Sequence, residues 1–205
     1  MFRRTRDVLR YEISRGLAYR KIVHPEMVIY NWLIPSIFSA ASMIFYLFLP
    51  VKPMLLGKDG AFSLSLPIFA TLPGFYIAAL AAVATFGGPG MDTEMPEPPP
   101  TIKIMVKGNF IDNALSRRQF MSYLFMYLVI TSFALCGFLL AGSILSGSAQ
   151  HFKPAILALH FGALIWELLK ASAVLVAVVL CSLVAAATLQ GAFFLGERMH
   201  LPPEA

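Results

Sequence analysis

Four stretches without a single charged residue, 27–51, 60–91, 119–152 and 171–196, run along the chain, and the polar and charged residues are bunched between them. Each stretch holds the roughly 20 apolar residues that carry a helix, rising about 1.5 Å per residue, across a hydrocarbon core of about 30 Å. Hydropathy and the flanking breakers place the spans at 28–49, 63–86, 119–142 and 171–195. Pro50 and Pro53 close the first, Gly87, Gly88, Pro89 and Gly90 close the second, and Pro154 lies beyond the third. Proline lacks the donor that a helix interior uses, and glycine leaves helices readily. Ser116 and Gln119 stand at capping-box spacing before the third span, with Arg117 and Arg118 at headgroup level. The predicted fold is an all-α integral membrane protein of four transmembrane helices.

Four of the pieces outside the spans carry patterns of their own. In the segment 1–27, Val8, Leu9, Ile13, Leu17 and Tyr19 recur at three- and four-residue spacing with Arg10, Arg15 and Arg20 among them. That pattern fits a short interfacial helix, lying on the membrane face or, alternatively, packing on a partner or on the rest of the chain. The loop 87–118 begins acidic and proline-rich, which predicts an extended, semi-rigid arm acting as a spacer, with a docking ligand as the sharper alternative. Within it, 102–106 alternates like one strand, and a strand needs something to pair with. Segment 143–170 is expected to be a loop with an interfacial helix running into span four, where Trp166 suits the interface and Glu167 pairs with Lys170 at i, i+3. Residues 196–205 form a short tail.

Composition agrees with this plan. Hydrophobic residues make up 58% and charged residues 13%, against about a quarter charged in an ordinary soluble domain. A nucleic-acid-binding domain, an extracellular disulfide scaffold and a soluble enzyme are excluded on that basis. The basic residues are unevenly placed. Arg3, Arg4, Arg6, Arg10, Arg15, Arg20, Lys21, Lys103, Lys107, Arg117, Arg118 and Arg198 flank one side of the spans; Lys52, Lys58, Lys153 and Lys170 flank the other. The positive-inside rule then puts both termini in the cytoplasm, with 1–27, 87–118 and 196–205 as the cytoplasmic pieces and 143–170 on the far side. A removable signal peptide is a poorer reading, because the apolar run begins only at Met27 and exceeds the usual length, so span one is a retained anchor. The net charge of +5 sets topology and meets anionic lipid, with no direct nucleic-acid contact expected.

Candidate chemistry is sparse. His24, His151, His160 and His200 are scattered over both sides, and neither Cys136 nor Cys181 stands at ligand spacing to any of them, so no metal site is expected. The cysteines read as small packing residues within spans. No nucleophile–base pair, phosphate loop or dinucleotide fingerprint is present, so no catalytic residue, no cofactor and no enzymatic activity are expected. Span centres carry no charge, which argues against a secondary transporter, although Glu167 as a coupling carboxylate is the place to look for one. Gly74, Ala78 and Ala82, and likewise Ala173, Ala177, Cys181 and Ala185, repeat every four residues. Such small-residue ridges let helices approach closely, either within one subunit or at a homo-oligomer seam. Asn31, Thr131, Ser132, Thr188 and Gln190 are candidates for interhelical hydrogen bonds.

A charged amino terminus, four spans, a proline-rich loop and the run Leu115-Ser-Arg-Arg-Gln-Phe-Met-Ser-Tyr-Leu-Phe-Met-Tyr-Leu128 together resemble the membrane subunit of the Kiwa antiphage defence system. The resemblance implies a multi-pass protein of the bacterial inner membrane that forms a homo-oligomer, a tetramer, and senses infection at the envelope. It also implies a soluble cytoplasmic DNA-binding partner of the same system. The basic residues of the expected cytoplasmic side, from Arg3 to Arg118, supply the surface for that partner or for lipid. The competing readings are a pore-forming effector that depolarises the cell and, third, a small transporter.

Overall fold

A computed structural model of the 205-residue chain describes residues 16–85, 91–95, 98–106 and 109–198. It is mostly helical, and four of its helices are long and apolar enough to cross a membrane: Pro25–Phe48, Ala61–Thr85, Arg117–Ile144 and Gly162–Gly196. The third is the most buried, at 44% of its apolar window, against 17% for each of the first two.

The first long helix, α1 (Pro25–Phe48), starts on a cap in which His24 Nδ1 accepts the Glu26 backbone N–H at 3.2 Å, with Pro25 at the first helical position. It widens to a π-helical turn over Ile29–Leu33. Pro35 follows directly and has no N–H to offer the carbonyl of Asn31, four residues before, so the turn ahead of it opens. The second span is broken. It consists of α2 (Ala61–Phe69) and α3 (Leu72–Thr85), parted at Ala70 and Thr71. Pro73 leaves the Phe69 carbonyl without its helical donor, and Cys136 Sγ donates to that carbonyl at 3.3 Å. Cys136, expected only to fill space, is a hydrogen-bond donor.

Two strands follow, β1 (Thr101–Val106) and β2 (Asn109–Ala114), paired antiparallel from Thr101 opposite Ala114 to Val106 opposite Asn109. The expected lone strand thus has its partner a few residues downstream, and the membrane helices carry a small β-hairpin. The third span, α4 (Arg117–Ile144), begins on the anticipated capping box: Ser116 Oγ accepts the Gln119 N–H, and Gln119 Oε1 accepts the Ser116 N–H, each at 3.3 Å. A further helix, α5 (Ser146–Leu157), follows almost at once and contains Pro154, which the hydropathy pattern had placed as a stop signal; none of its residues is buried. The last helix, α6 (Gly162–Phe193), joins the helical segment expected ahead of residue 171 to span four without a break and ends in a π-helical turn over Phe194–Arg198. Glu167 and Lys170 pair with each other on its surface, as their i, i+3 spacing predicts.

The chain divides into two compact units. The first comprises Met1–Leu33, Pro73–Ile130 and Ala185–Ala205, and the second Ile34–Leu72 and Thr131–Val184. In the first unit Tyr19, Tyr76, Leu115, Met121, Leu124 and Leu128 are almost fully buried. In the second, Tyr46, Leu55 and Val174 form a core against which Met43, Leu56, Ala61 and Val178 pack. Phe62 meets Phe138 edge-on at 5.8 Å between centroids, in a place left open by Gly142, where a Cβ would stand 2.6 Å from the Phe62 ring. The loop leading into α2 turns at Gly57, whose φ of 109° favours glycine, and Ser63 Oγ donates to the Gly57 carbonyl at 2.6 Å.

Candidate functional site

The polar groups of the first unit concentrate around a folded-back soluble piece. After the 3₁₀ turn Ala18–Lys21, Val23 exchanges backbone hydrogen bonds with Thr101, its N–H donating at 2.8 Å and its carbonyl accepting at 3.2 Å. The proline-rich segment also comes back to the chain. Leu115 N–H donates to the Pro100 carbonyl at 2.9 Å, Met95 N–H to Leu115 at 3.3 Å, and Arg118 N–H to Met91 at 2.9 Å. Met91, Met95, Ile102 and Leu115 are buried in the result. A free extended arm would leave these side chains in water; their burial is what draws the segment onto the hairpin and the start of α4.

Beneath that piece lies an aromatic and amide cluster. Tyr19 stacks on Tyr127 at 5.0 Å between centroids and tilts against Phe120 at 6.3 Å, while Phe120 meets Phe194 at 5.3 Å. The Tyr19 hydroxyl donates to Gln190 Oε1, and Gln190 Nε2 lies 3.4 Å from Met27 Sδ. Burial pushes the Tyr19 hydroxyl far above the ordinary phenol value, so it stays protonated and keeps donating. Two residues before Gln190, Thr188 shares a hydroxyl–hydroxyl hydrogen bond of 2.6 Å with Tyr76. The segment 18–27, α3, α4 and α6 are thereby joined by side-chain hydrogen bonds and ring contacts rather than by apolar contact alone.

Among the described residues of the second unit, the ion pairs meet at one carboxylate. Glu167 accepts from Lys52 at 3.4 Å and from Lys170, its i+3 neighbour, and Lys52 Nζ also stands 5.8 Å from the centroid of the Tyr46 ring. All three ionic side chains are 30–48% exposed.

The candidate basic surface is partly brought together. Arg3, Arg4, Arg6, Arg10, Arg15 and Lys107 lie outside the described residues, as does most of the expected amino-terminal interfacial helix. Arg20, Lys21 and Lys103 are exposed. Arg118 pairs with Asp92 at 3.1 Å, which ties the acidic part of the loop to the start of α4. Arg117 is only 6% exposed and belongs to the interior of the unit, not to its basic surface. In the small-residue ridges, Gly74 and Ala78 are exposed and Ala82 is half-buried; Ala177 is buried, Ala173 and Cys181 are half-buried, and Ala185 is exposed. The α6 ridge is thus used in part within the subunit, and the α3 ridge is open along most of its length. Among the suggested hydrogen-bonding residues, Asn31, Thr131, Ser132 and Gln190 are buried and Thr188 is half-buried.

The sequence reading passed over Tyr19, Tyr76, Met27 and Tyr127 as members of a site. Tyr19 and Gln190 stand 171 positions apart, and no local spacing announces such a pair. A comparison with known protein families, curated proteins and solved structures finds no match for this chain.

Proposed function

We propose that this chain is a membrane sensor and scaffold rather than an enzyme, a four-span subunit of a bacterial antiphage defence system seated in the inner membrane with both termini in the cytoplasm. The observation that carries the scaffold reading is the folded soluble piece of the first unit, hung by backbone hydrogen bonds on the starts of α1 and α4 and joined below to Gln190 of α6 through Tyr19. A shift among these helices is transmitted to such a surface because the surface is built on their ends. The orientation is supported by charge: Arg20, Lys21, Lys103, Arg117, Arg118 and Arg198 all belong to the first unit, and Lys52, Lys58, Lys153 and Lys170 all belong to the second. The assignment to antiphage defence rests on the resemblance to the Kiwa membrane subunit alone.

In this reading copies of the chain associate in the membrane, as a tetramer in the form the resemblance implies, with the open Gly74–Ala78 stretch of α3 as the candidate seam. Perturbation of the envelope changes the packing of the copies, and the hairpin with its basic flank changes what it offers a soluble DNA-binding partner. The test is the mass and composition of the tagged protein purified gently from its native host. A discrete oligomer carrying a stoichiometric soluble protein supports the scaffold. A discrete oligomer with nothing bound favours a depolarising pore instead, and a monomer removes both. Substrate-dependent flux that needs Glu167 would make the protein a small transporter.

A further inference from the structure

The two edges of the hairpin differ. Leu115 N–H donates to the carbonyl of Pro100, which stands directly opposite it, so Ile102 with Asn113 and Ile104 with Ile111 turn their backbone groups toward each other. The residues between them turn theirs outwards. Thr101 obeys this alternation: its outward N–H and carbonyl meet Val23, which closes that end of the β1 edge. On β2 the outward residues are Phe110, Asp112 and Ala114, and among the described residues no backbone hydrogen bond reaches Asp112 or Ala114 from beyond the hairpin. The edge is not blunted either, for β2 holds no proline and no lysine, and Ile111 stands 50% exposed on it.

An open edge takes another strand, and the residues of β2 fit a second β2. Two such strands pairing antiparallel must set outward residues against outward residues, and two registers do so while pairing all but one of the six residues. One is centred on Asp112 and sets like charges directly opposite, which is unfavourable. The other is centred on Ile111, sets Asp112 opposite Phe110, and buries the two exposed Ile111 side chains against each other. Its two-fold axis is perpendicular to the sheet and keeps the covered face, that of Ile102, on the same side in both copies, a relation open to two copies inserted alike in one membrane. A basic strand of another protein would answer Asp112, but Asp112 already stands opposite Lys103 of β1. We propose that β2 pairs with β2 of a second copy, antiparallel and with Ile111 opposite Ile111, so that two hairpins form one four-stranded sheet. The contact takes from the proposed function only that copies meet in one membrane; it needs neither the soluble partner nor the defence role. Lys103 stays on the open face of that sheet.

Disulfide formation between single cysteines reads the register. In full-length chains carrying Cys136→Ser and Cys181→Ala, Ile111→Cys or Asn113→Cys is introduced, and vesicles of the native membrane are oxidised with copper phenanthroline. A residue opposite its own copy in a non-hydrogen-bonded pair has Cβ atoms about 4.5–5.5 Å apart, close to bridging distance. Asn113 and its copy are offset by four residues along the strands, roughly 14 Å. Ile111→Cys is therefore expected to shift from the mass of one chain to that of two, and Asn113→Cys to stay at one. Adding Asp112→Pro to Ile111→Cys removes an outward N–H that the hairpin itself does not use, and the shift is expected to be lost. Should the proline unfold the hairpin, the two cysteine positions, which leave the backbone intact, decide alone. Absence of the cross-link at Ile111→Cys overturns the proposal. Equal cross-linking at both positions does so too, since a register centred on Asp112 or random collision would give it. An Ile111→Cys adduct of any mass other than two chains gives the edge to a different protein and also overturns it. A discrete oligomer by mass beside any of these failures would keep the association of copies and remove only this contact.

Discussion

In the first unit Tyr19 gives its hydroxyl hydrogen to Gln190 with both residues buried, whereas in the second Lys52, Glu167 and Lys170 make their ion pairs with side chains 30–48% exposed. The first unit also owns the hairpin and the folded-back loop; the second is helices, short turns and a core around Tyr46, Leu55 and Val174. A buried neutral hydrogen bond is costly to break on one side only, because the orphaned group has no water to turn to, at about 1–3 kcal/mol. An exposed ion pair contributes about 0.2–1 kcal/mol and is screened by salt. The two units therefore differ in where their strongest polar contacts lie: the first buries the Tyr19–Gln190 pair, whereas the second keeps its ion pairs at the edge and buries the smaller hydroxyls of Thr131 and Ser132.

Substitutions that strike each unit at its own means of support separate the two. The largest effect is expected from Gly142→Val, which drives methyl groups into the Phe62 ring where even a Cβ stands at 2.6 Å; thermal unfolding in detergent should show a loss of about 3 kcal/mol, at the upper end for overpacking. Gln190→Leu comes next, at about 2 kcal/mol, since it leaves the buried Tyr19 hydroxyl without its acceptor. Adding Tyr19→Phe to Gln190→Leu should recover part of that loss. Full additivity in the double variant would mean that the two side chains do not depend on each other. Cys136→Ala removes the thiol that serves the Phe69 carbonyl at the break in the second span, and a cost near 0.6 kcal/mol is expected, with Cys136→Ser retaining most of it. Glu167→Gln is the mildest, below about 0.5 kcal/mol, and its effect should shrink as salt is added. A large, salt-insensitive loss at Glu167 would erase the contrast between the units.

The four long helices were legible because a run of about 20 apolar residues has few other uses. The start of α4 was legible as well, since the Ser116–Gln119 capping box is a contact between residues three apart and is written in the sequence itself. What stayed hidden depends on distance along the chain or on compensation. Strand β2, Asn109–Ala114, mixes Asn and Asp with Phe and Ile, so its pairing with β1 shows only when the two are side by side. Glu167 was expected to pair with Lys170 at i, i+3, but its second partner, Lys52, lies 115 positions away and so stayed hidden. The burial of Arg117 beside an exposed Lys103 likewise follows from packing, not from residue type.

The scaffold reading requires Lys103 to meet the cytoplasm and Lys58 to meet the opposite side, and thiol accessibility in cells tests this most directly. In a Cys136→Ser, Cys181→Ala background, a single thiol is placed at an exposed position of each unit, by Lys103→Cys in one protein and Lys58→Cys in another. A membrane-impermeant maleimide, given access to the outer face of the inner membrane, is expected to label the Lys58→Cys protein, and to label the Lys103→Cys protein only once the inner membrane is opened. Labelling of the Lys103→Cys protein in intact cells, with protection of the Lys58→Cys protein, would contradict the account.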